Sequence, residues 1–199
     1  RAEGPMANID ALASFEAAIA TSGASVVAHR WATAAAMTPF LQAAYRSLGP
    51  DIVSWRYESA WATQEAAVDD LTTQLAAELA ARRRQDMERR MTTVGPQRDA
   101  PRLLLGDRDS RTHASQGEQR SLVLALRLAA FDVLSNEYDE PPILILDDVF
   151  SELDAGRATA IIERLPGAQA FLSSARHDDV GDIGGTYWNV APSGTVVEQ

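Results

Sequence analysis

An unbroken apolar run that ends in two aspartates constrains the fold of this chain most. Residues 143–146 read Ile-Leu-Ile-Leu, and Asp147 and Asp148 follow directly. A short apolar run without alternation is typical of a strand that is covered on both faces of a parallel sheet. Ligands bind at the carboxyl edge of such sheets. The run therefore predicts an α/β unit with paired carboxylates at its ligand-binding edge.

The sequence on both sides of this strand predicts alternating strands and helices, which indicates an α/β lobe. Helical spacing of apolar residues marks the helices, and Gly or Pro marks their boundaries. We expect strands over 102–105 and, buried, over 170–172, a polar turn over 106–110, helices over 121–134 and 154–165, and a terminal hairpin over 186–190 and 195–197.

The first half of the chain predicts two long, Ala-rich helices. Apolar residues recur at helical spacing over 8–47, where Gly23 and Pro39 are expected to interrupt the helix. A second helical pattern covers 64–91, and alternation of apolar and polar residues over 52–57 predicts a half-buried strand between the helices.

The second helical pattern carries Leu71, Leu75 and Leu79 at a four-residue spacing, which predicts one buried face. Gly95-Pro96 ends the pattern. We therefore expect a helical arm over 1–94 that stands off an α/β lobe over 95–199.

The absence of two residue types excludes several classes of site. With no Cys, the chain has no disulfides, thiolate metal sites or cysteine nucleophiles. All 18 basic residues are Arg, so the phosphate loop Gly-x-x-x-x-Gly-Lys-Ser/Thr cannot be present.

The net charge of −10 argues against a generally basic surface, so any DNA contact must be local. With no signal peptide and no apolar run of about 18 residues, we expect a cytoplasmic location without membrane contact.

The two aspartates predict different roles. Asp147 ends the strand and could hold Mg²⁺, usually through water, because Mg²⁺ keeps several of its waters. Asp148 must point elsewhere, near enough to orient or deprotonate an attacking water. The alternative interpretation is a strand-ending turn with two solvated acids. The apolar run and the Ser-Glu-Leu-Asp sequence over 151–154 favour the functional interpretation.

A turn of small residues over 115–117 precedes the predicted helix and has two interpretations. Free backbone N–H groups and the positive end of the helix would make it an anion site. Ser115 as N-cap with Glu118 would instead form a capping box. The turn alone favours the capping box, and its closeness in sequence to 143–154 favours phosphate binding.

Three motifs in this order resemble those of the ABC-type ATPase head, in its SMC-like branch. Residues 115–119 resemble the signature motif, 144–148 the Walker B strand, and 151–154 the D-loop. More closely, the chain is similar to the RecF family, which has a Thr-x-x-Gly-Pro-His-Arg-Asp stretch, seen here over 92–99. The family's Asp-Asp-Val-x-Ser-Glu-Leu-Asp run is intact over 147–154. The resemblance covers nearly the whole chain, with 1–91 matching only in pattern.

The resemblance implies the C-terminal part of a DNA replication and repair ATPase that lacks the Walker A region and uses ATP and Mg²⁺. In such families the signature turn of one subunit caps ATP held by the other, so the turn would act in trans and the aspartates in cis. The family binds single-stranded and gapped DNA as an ATP-dependent homodimer, and helps RecO and RecR load RecA. By position, the catalytic residue is Asp148, the metal ligand is Asp147, and the nucleotide contacts are Ser115, Gln116, Gly117, Glu118, Asp154 and Ser174.

Two positions depart from related patterns. Gln97 stands where the RecF family has His. In transporter-type ATPases a switch histidine follows the strand after the D-loop. Here that strand ends in Ser173-Ser174, so Ser174 is the sensor candidate, and His177 comes later and is expected on the surface.

One basic cluster stands out in this acidic chain. It consists of Arg82, Arg83, Arg84, Arg89 and Arg90 on the second predicted helix. A solvated helix face is the default interpretation. The functional one is contact with the DNA phosphate backbone, which is independent of sequence and sensitive to salt.

Two other functions remain as alternatives. One is a different SMC-like or transporter-type ATPase subunit. A transporter subunit should show a switch His after 170–172 and a Leu before Ser115, and this chain has neither. The other is an ATPase-derived interaction module, inactive in cis because no Lys-containing phosphate loop is present.

Overall fold

A computed structural model describes residues 5–62, 66–138, 140–150, 153, 155–163, 169–175, 184–191 and 193–198. The chain divides into two compact units between Val133 and Leu134. Each unit combines helices and strands. No helix within these residues is long and apolar enough to cross a membrane.

The first unit is built on two helices, α1 (Pro5–Tyr45) and α2 (Val68–Arg89). Small side chains of α1 and leucines of α2 share one hydrophobic core, which also includes a tyrosine, a tryptophan and a valine. The buried members are Ala20, Ala24, Val27, Tyr57, Trp61, Leu71, Leu75, Leu79 and Val94. The predicted leucine stripe is confirmed, because residues four apart lie on the same side of a helix.

Gly23 does not interrupt α1, so the predicted break at this residue is wrong. A Cβ atom added at Gly23 would lie 2.6 Å from Leu75 Cδ2 and 3.3 Å from Pro96 Cδ. The glycine therefore allows close approach of α1 to α2 and to the segment that follows α2.

Pro39 also lies inside α1, and the predicted break there is wrong as well. A proline inside a helix removes one backbone hydrogen bond. The residues that follow it are firmly packed, which offsets that loss. Leu41 and Ala44 are 0% exposed and Tyr45 is 1% exposed.

The first unit also contains three antiparallel strands, β1 (Val53–Glu58), β2 (Ala100–Leu105) and β3 (Arg108–Asp109), in the order β1-β2-β3. β1 and β2 pair from Val53↔Leu105 to Glu58↔Ala100. The pairing joins a strand before residue 94 to a strand after it. The division into an arm over 1–94 and a lobe over 95–199 stays a prediction.

The segment predicted as a polar turn contains more structure than expected. Gly106, with a φ of 59°, turns the chain between β2 and β3. A short helix, α3 (Ser110–His113), follows, and Asp109 accepts a hydrogen bond from the Arg111 N–H at 2.9 Å as its N-cap. Helix α4 (Gln116–Glu137) begins earlier and ends later than predicted, and crosses the division between the units.

The second unit contains a strand–helix–strand arrangement of β4 (Leu144–Asp147), α5 (Ala155–Ile162) and β5 (Ala170–Ser173). β4 and β5 are parallel, with a register from Leu144↔Ala170 to Asp147↔Ser173. The strands β6 (Trp188–Val190) and β7 (Val196–Glu198) form the expected antiparallel hairpin.

Within the described residues β4 is not covered on both faces, so that prediction is wrong, and β5 is only partly buried rather than buried as predicted. Leu144 and Leu146 are buried, whereas Ile145 between them is 68% exposed. Its register partner Phe171 is 46% exposed. Within the described residues this sheet has two strands and packs through a single face.

Candidate functional site

The paired carboxylates lie at the carboxyl end of β4, as the sequence predicts. Asp147 is the last residue of the strand, and Asp148 follows it. Asp148 has a φ of 50°, so the backbone leaves strand geometry between the two residues. Non-glycine residues seldom adopt this conformation, and those that do are concentrated at functional sites.

The end of β5 fixes both aspartates through one serine. The Asp148 N–H donates to the Ser173 carbonyl oxygen at 3.1 Å and to the Ser173 hydroxyl at 3.0 Å. The same hydroxyl donates to Asp147 Oδ1. Sequence reasoning selected Ser174, which lies beyond the strand. The parallel register, which sets Ser173 opposite Asp147, was not available from the sequence.

The Asp147 carboxylate is available as a single metal ligand. No group of three or more acidic or histidine side chains that could hold a metal ion occurs in the described segments. Mg²⁺ at phosphate-transfer sites is bound by one or two carboxylates together with waters and phosphates. The Asp147 side chain is exposed, its Oδ1 is held by Ser173, and no described residue donates to its Oδ2.

Ser115 and Glu118 form both hydrogen bonds of a capping box at the start of α4. The Ser115 N–H donates to Glu118 Oε2 at 2.6 Å, and the Glu118 N–H donates to Ser115 Oγ at 3.3 Å. The capping interpretation is therefore correct as a description of local structure. It uses neither the Gln116 nor the Gly117 N–H, which lie in the first turn, where N–H groups lack partners within the helix.

Neither close packing nor backbone conformation within the described residues requires a glycine at position 117. A Cβ atom added there would find no atom within 4 Å. Its φ is not among the positive values that favour glycine. Glycine in the middle of a helix is less stable than alanine by about 0.5–1 kcal/mol, and Gly117, in the first turn of α4, has a part of this cost. An exposed glycine that leaves open space beside free N–H groups favours close approach of an anionic group to this turn.

Three arginines of the predicted DNA-binding cluster lie in ion pairs with glutamates. The N···O distances are 3.1 Å for Arg82–Glu78, 2.5 Å for Arg83–Glu16 and 3.2 Å for Arg84–Glu88. The pairs of Arg82 and Arg84 join neighbouring turns of α2, the first half-buried and the second exposed. Pairs of this spacing stabilise a helix by only about 0.3–0.5 kcal/mol.

Arg83 differs because its partner lies on the other helix. Its Nε and Nη2 both donate to the Glu16 carboxylate, which links α2 to α1. These hydrogen bonds raise the pKa of Arg83 above its usual value. Arg89 and Arg90, at the end of α2, have no ion-pair partner among the described residues.

Sequence reasoning missed a polar network around Tyr57. Its hydroxyl donates to Asp99 Oδ2 at 2.9 Å and accepts from Arg30 Nη1 at 3.0 Å. Arg30 also donates to the Pro96 carbonyl oxygen at 2.7 Å. Burial raises the pKa of Tyr57, and Asp99 raises it further, whereas Arg30 opposes the shift. The network ties the segment over 92–99 to α1 and β1, which gives that motif a structural role.

Four further positions were singled out in the sequence: Gln97, Asp154, Ser174 and His177. Gln97 donates to the Val94 carbonyl oxygen at 3.0 Å, a contact within its own turn. Ser174 follows β5 and stays a prediction as a nucleotide contact. Asp154 and His177 lie outside the described residues.

Comparison with curated proteins finds relatives that share one name. No protein-family model matches the chain. "DNA replication and repair protein RecF" of Streptomyces avermitilis is 41% identical over 182 residues, which cover 89% of this chain and 48% of that protein. The protein of the same name from Symbiobacterium thermophilum is 34% identical over 181 residues, with 88% and 48% covered. The chain thus spans about half the length of these relatives.

The solved structures that match this chain are also structures of RecF proteins. The structure of the recombination mediator RecF-ATP in the RecFOR pathway matches 96% of this chain with a TM-score of 0.82 and 26% identity, over 50% of its own length. The corresponding RecF-ATPrS structure matches 100% of this chain with a TM-score of 0.83 and 26% identity, over 52% of its own length. The predicted fold class, an α/β lobe of the ABC ATPase type with helices, is confirmed.

Proposed function

This chain belongs to the RecF family, and we propose that it supplies the signature turn and the paired carboxylates of a DNA replication and repair ATPase. The observation that supports this most is the placement of Asp147 and Asp148 at the carboxyl end of a parallel strand. There Ser173 of the neighbouring strand holds both residues.

In this proposal the aspartates act on the same nucleotide in different ways. Mg²⁺, when bound, neutralises charge on the β- and γ-phosphates of ATP. Asp147 offers its free carboxylate oxygen to the metal or to one of its waters. Asp148, turned away from the strand by its backbone conformation, orients or deprotonates the attacking water.

The signature turn acts in trans on ATP held by a second subunit. The N–H groups of Gln116 and Gly117 and the positive end of α4 face the γ-phosphate, with Ser115 and Glu118 holding the turn in shape. The 199 residues contain no Lys, so we assign the phosphate loop to the part of the relatives' length that this chain does not cover.

The ATP-bound homodimer then binds single-stranded and gapped DNA, and acts with RecO and RecR to load RecA. Arg89 and Arg90 are the first candidates for phosphate contacts on α2, because they have no described ion pair. Arg82 and Arg84 can exchange weak pairs for phosphates at little cost. Arg83 is the least suitable candidate for a phosphate contact, because it forms an ion pair with Glu16 of α1.

The Asp148→Asn substitution tests the proposal in a protein of the relatives' full length that contains these residues, called the extended protein below. The variant should bind ATP as the parent does. Its hydrolysis should fall by about 10²–10⁴-fold, the usual contribution of a general base. ATP binding and phosphate release are measured separately.

Glu198→Gln is the matched control, because it also removes one exposed carboxylate from the second unit. It should hydrolyse ATP at the parent's rate. Equal hydrolysis by Asp148→Asn and the parent would remove Asp148 from catalysis, and absence of ATP binding by the parent would refute the ATPase proposal itself.

A further inference from the structure

We infer that Ser173 is the positioning residue of the paired carboxylates, an inference that rests on the proposed ATPase function. Its hydroxyl donates to Asp147 Oδ1 and accepts from the Asp148 N–H at 3.0 Å. A hydroxyl has one hydrogen to donate and two lone pairs to accept with. One side chain therefore satisfies a polar group on each aspartate at once.

The contact with Asp147 decides which carboxylate oxygen is available. The bond to Oδ1 fixes the rotation of the carboxylate and leaves Oδ2 for a cation or its water. Partners that orient a metal-binding carboxylate in this way change metal affinity by about 10–100-fold when they are removed.

The contact with Asp148 supports an uncommon backbone conformation. The φ of 50° persists only where the surroundings fix it. Both acceptors of the Asp148 N–H belong to Ser173, its carbonyl oxygen at 3.1 Å and its hydroxyl at 3.0 Å. Loss of the hydroxyl removes one of the two and loosens the position of the Asp148 side chain.

The strand register explains why this role falls on Ser173. Ser173 is the last residue of β5 and the register partner of Asp147 in the parallel pair. Ser174 lies one residue beyond the paired region. Ser173, and not Ser174, is therefore the residue that contacts both aspartates.

Ser173→Thr and Ser173→Val form the decisive pair of variants, because Thr and Val have the same shape and differ in the hydroxyl. Both are β-branched and suit a strand. Mn²⁺ serves as the probe, and its affinity for the ATP-bound extended protein is measured by electron paramagnetic resonance. The Val variant should bind Mn²⁺ about 10–100-fold more weakly. The Thr variant should match the parent, and ATP affinity without metal should not change in either.

Ser193→Val is the matched control, since it removes a serine hydroxyl from the exposed turn between β6 and β7. Should the Val variant of Ser173 fail to fold, as judged by circular dichroism, Ser173→Ala replaces it with the same expected loss. Equal Mn²⁺ affinity in the Val or Ala and Thr variants overturns the role of Ser173 alone. A parent that binds ATP without any metal dependence overturns the magnesium site, and a parent that does not bind ATP overturns the proposed function.

Discussion

Two substitutions of glycine by alanine should change stability in opposite directions, because the added methyl group meets open space at one site and packed atoms at the other. At Gly117 no atom lies within 4 Å of the added Cβ. At Gly23 the nearest atoms are Leu75 Cδ2 at 2.6 Å and Pro96 Cδ at 3.3 Å. Both glycines lie in helices, so the change in backbone preference has the same sign at the two sites.

The magnitudes follow from two competing effects. Alanine is favoured over glycine inside a helix by up to about 1 kcal/mol. At Gly117, in the first turn of α4, the gain is smaller than in a helix interior, and no neighbouring atom opposes it. At Gly23 overpacking costs about 1–3 kcal/mol, because the fully buried Leu75 side chain must shift within the packed core to make room. We expect Gly117→Ala to raise the free energy of unfolding by up to about 1 kcal/mol, and Gly23→Ala to lower it by about 1 kcal/mol.

Urea unfolding of the 199-residue chain measures both changes, with the midpoint compared at constant slope. Leu75→Ala supplies the internal test, because it removes the side chain that the new methyl group would strike. In that background Gly23→Ala should become stabilising, and the difference is the coupling between the two positions. The reasoning is refuted if Gly23→Ala stabilises the parent chain, or if its effect is the same with and without Leu75.

At the signature turn, a substitution that stabilises the fold should weaken ATP-dependent dimerisation. In the extended protein Gly117→Ala is expected to weaken ATP-dependent dimerisation while the fold becomes more stable, because the methyl group fills the space proposed for the partner's phosphates. Sedimentation with and without ATP measures this. A stabilised variant that still dimerises fully would show that the turn is only a helix cap.

Tyr57 should make the first unit less stable as the pH rises above about 10, because the unfolded chain loses its phenolic proton before the folded one, whose pKa is raised by burial. Tyr57→Phe should flatten this dependence in unfolding measured between pH of about 9 and 11, and an unchanged slope would contradict the assignment. For DNA, replacing Arg89 and Arg90 by Gln should lower the slope of log affinity against log salt by about 1.4–1.8 in the ATP-bound extended protein, which a salt titration measures. Arg83→Gln should instead remove the ion pair between α2 and α1, lower the stability of the first unit and leave the salt slope unchanged. A lower salt slope with unchanged stability would show that Arg83 contacts DNA.

The sequence predicts those features that depend on neighbours along the chain. The leucine stripe of α2 and the aspartates at the carboxyl end of β4 follow from local spacing, and both occur as predicted. Features that depend on distant residues were missed. Arg83 pairs with Glu16, which lies 67 residues away, and no pattern near Arg83 indicates this partner.

The same limit explains the error at Gly23 and the choice of Ser174 rather than Ser173. A glycine inside a helical pattern is typical both of a break and of a close helix contact, and only the position of Leu75 distinguishes them. Two adjacent serines at a strand end are equivalent in sequence. The parallel register selects Ser173.

The backbone conformation of Asp148 also limits which residues can replace it. Asn and Asp occupy the left-handed region several-fold more often than most residues, and β-branched residues are strongly disfavoured there. At a φ of 50°, Asp148→Asn exchanges a charged oxygen for an amide and keeps the turn, whereas Asp148→Val would alter the charge and the chain path together. Any collection of variants that keep this turn should therefore contain Asn or Gly at this position more readily than a branched residue of similar size.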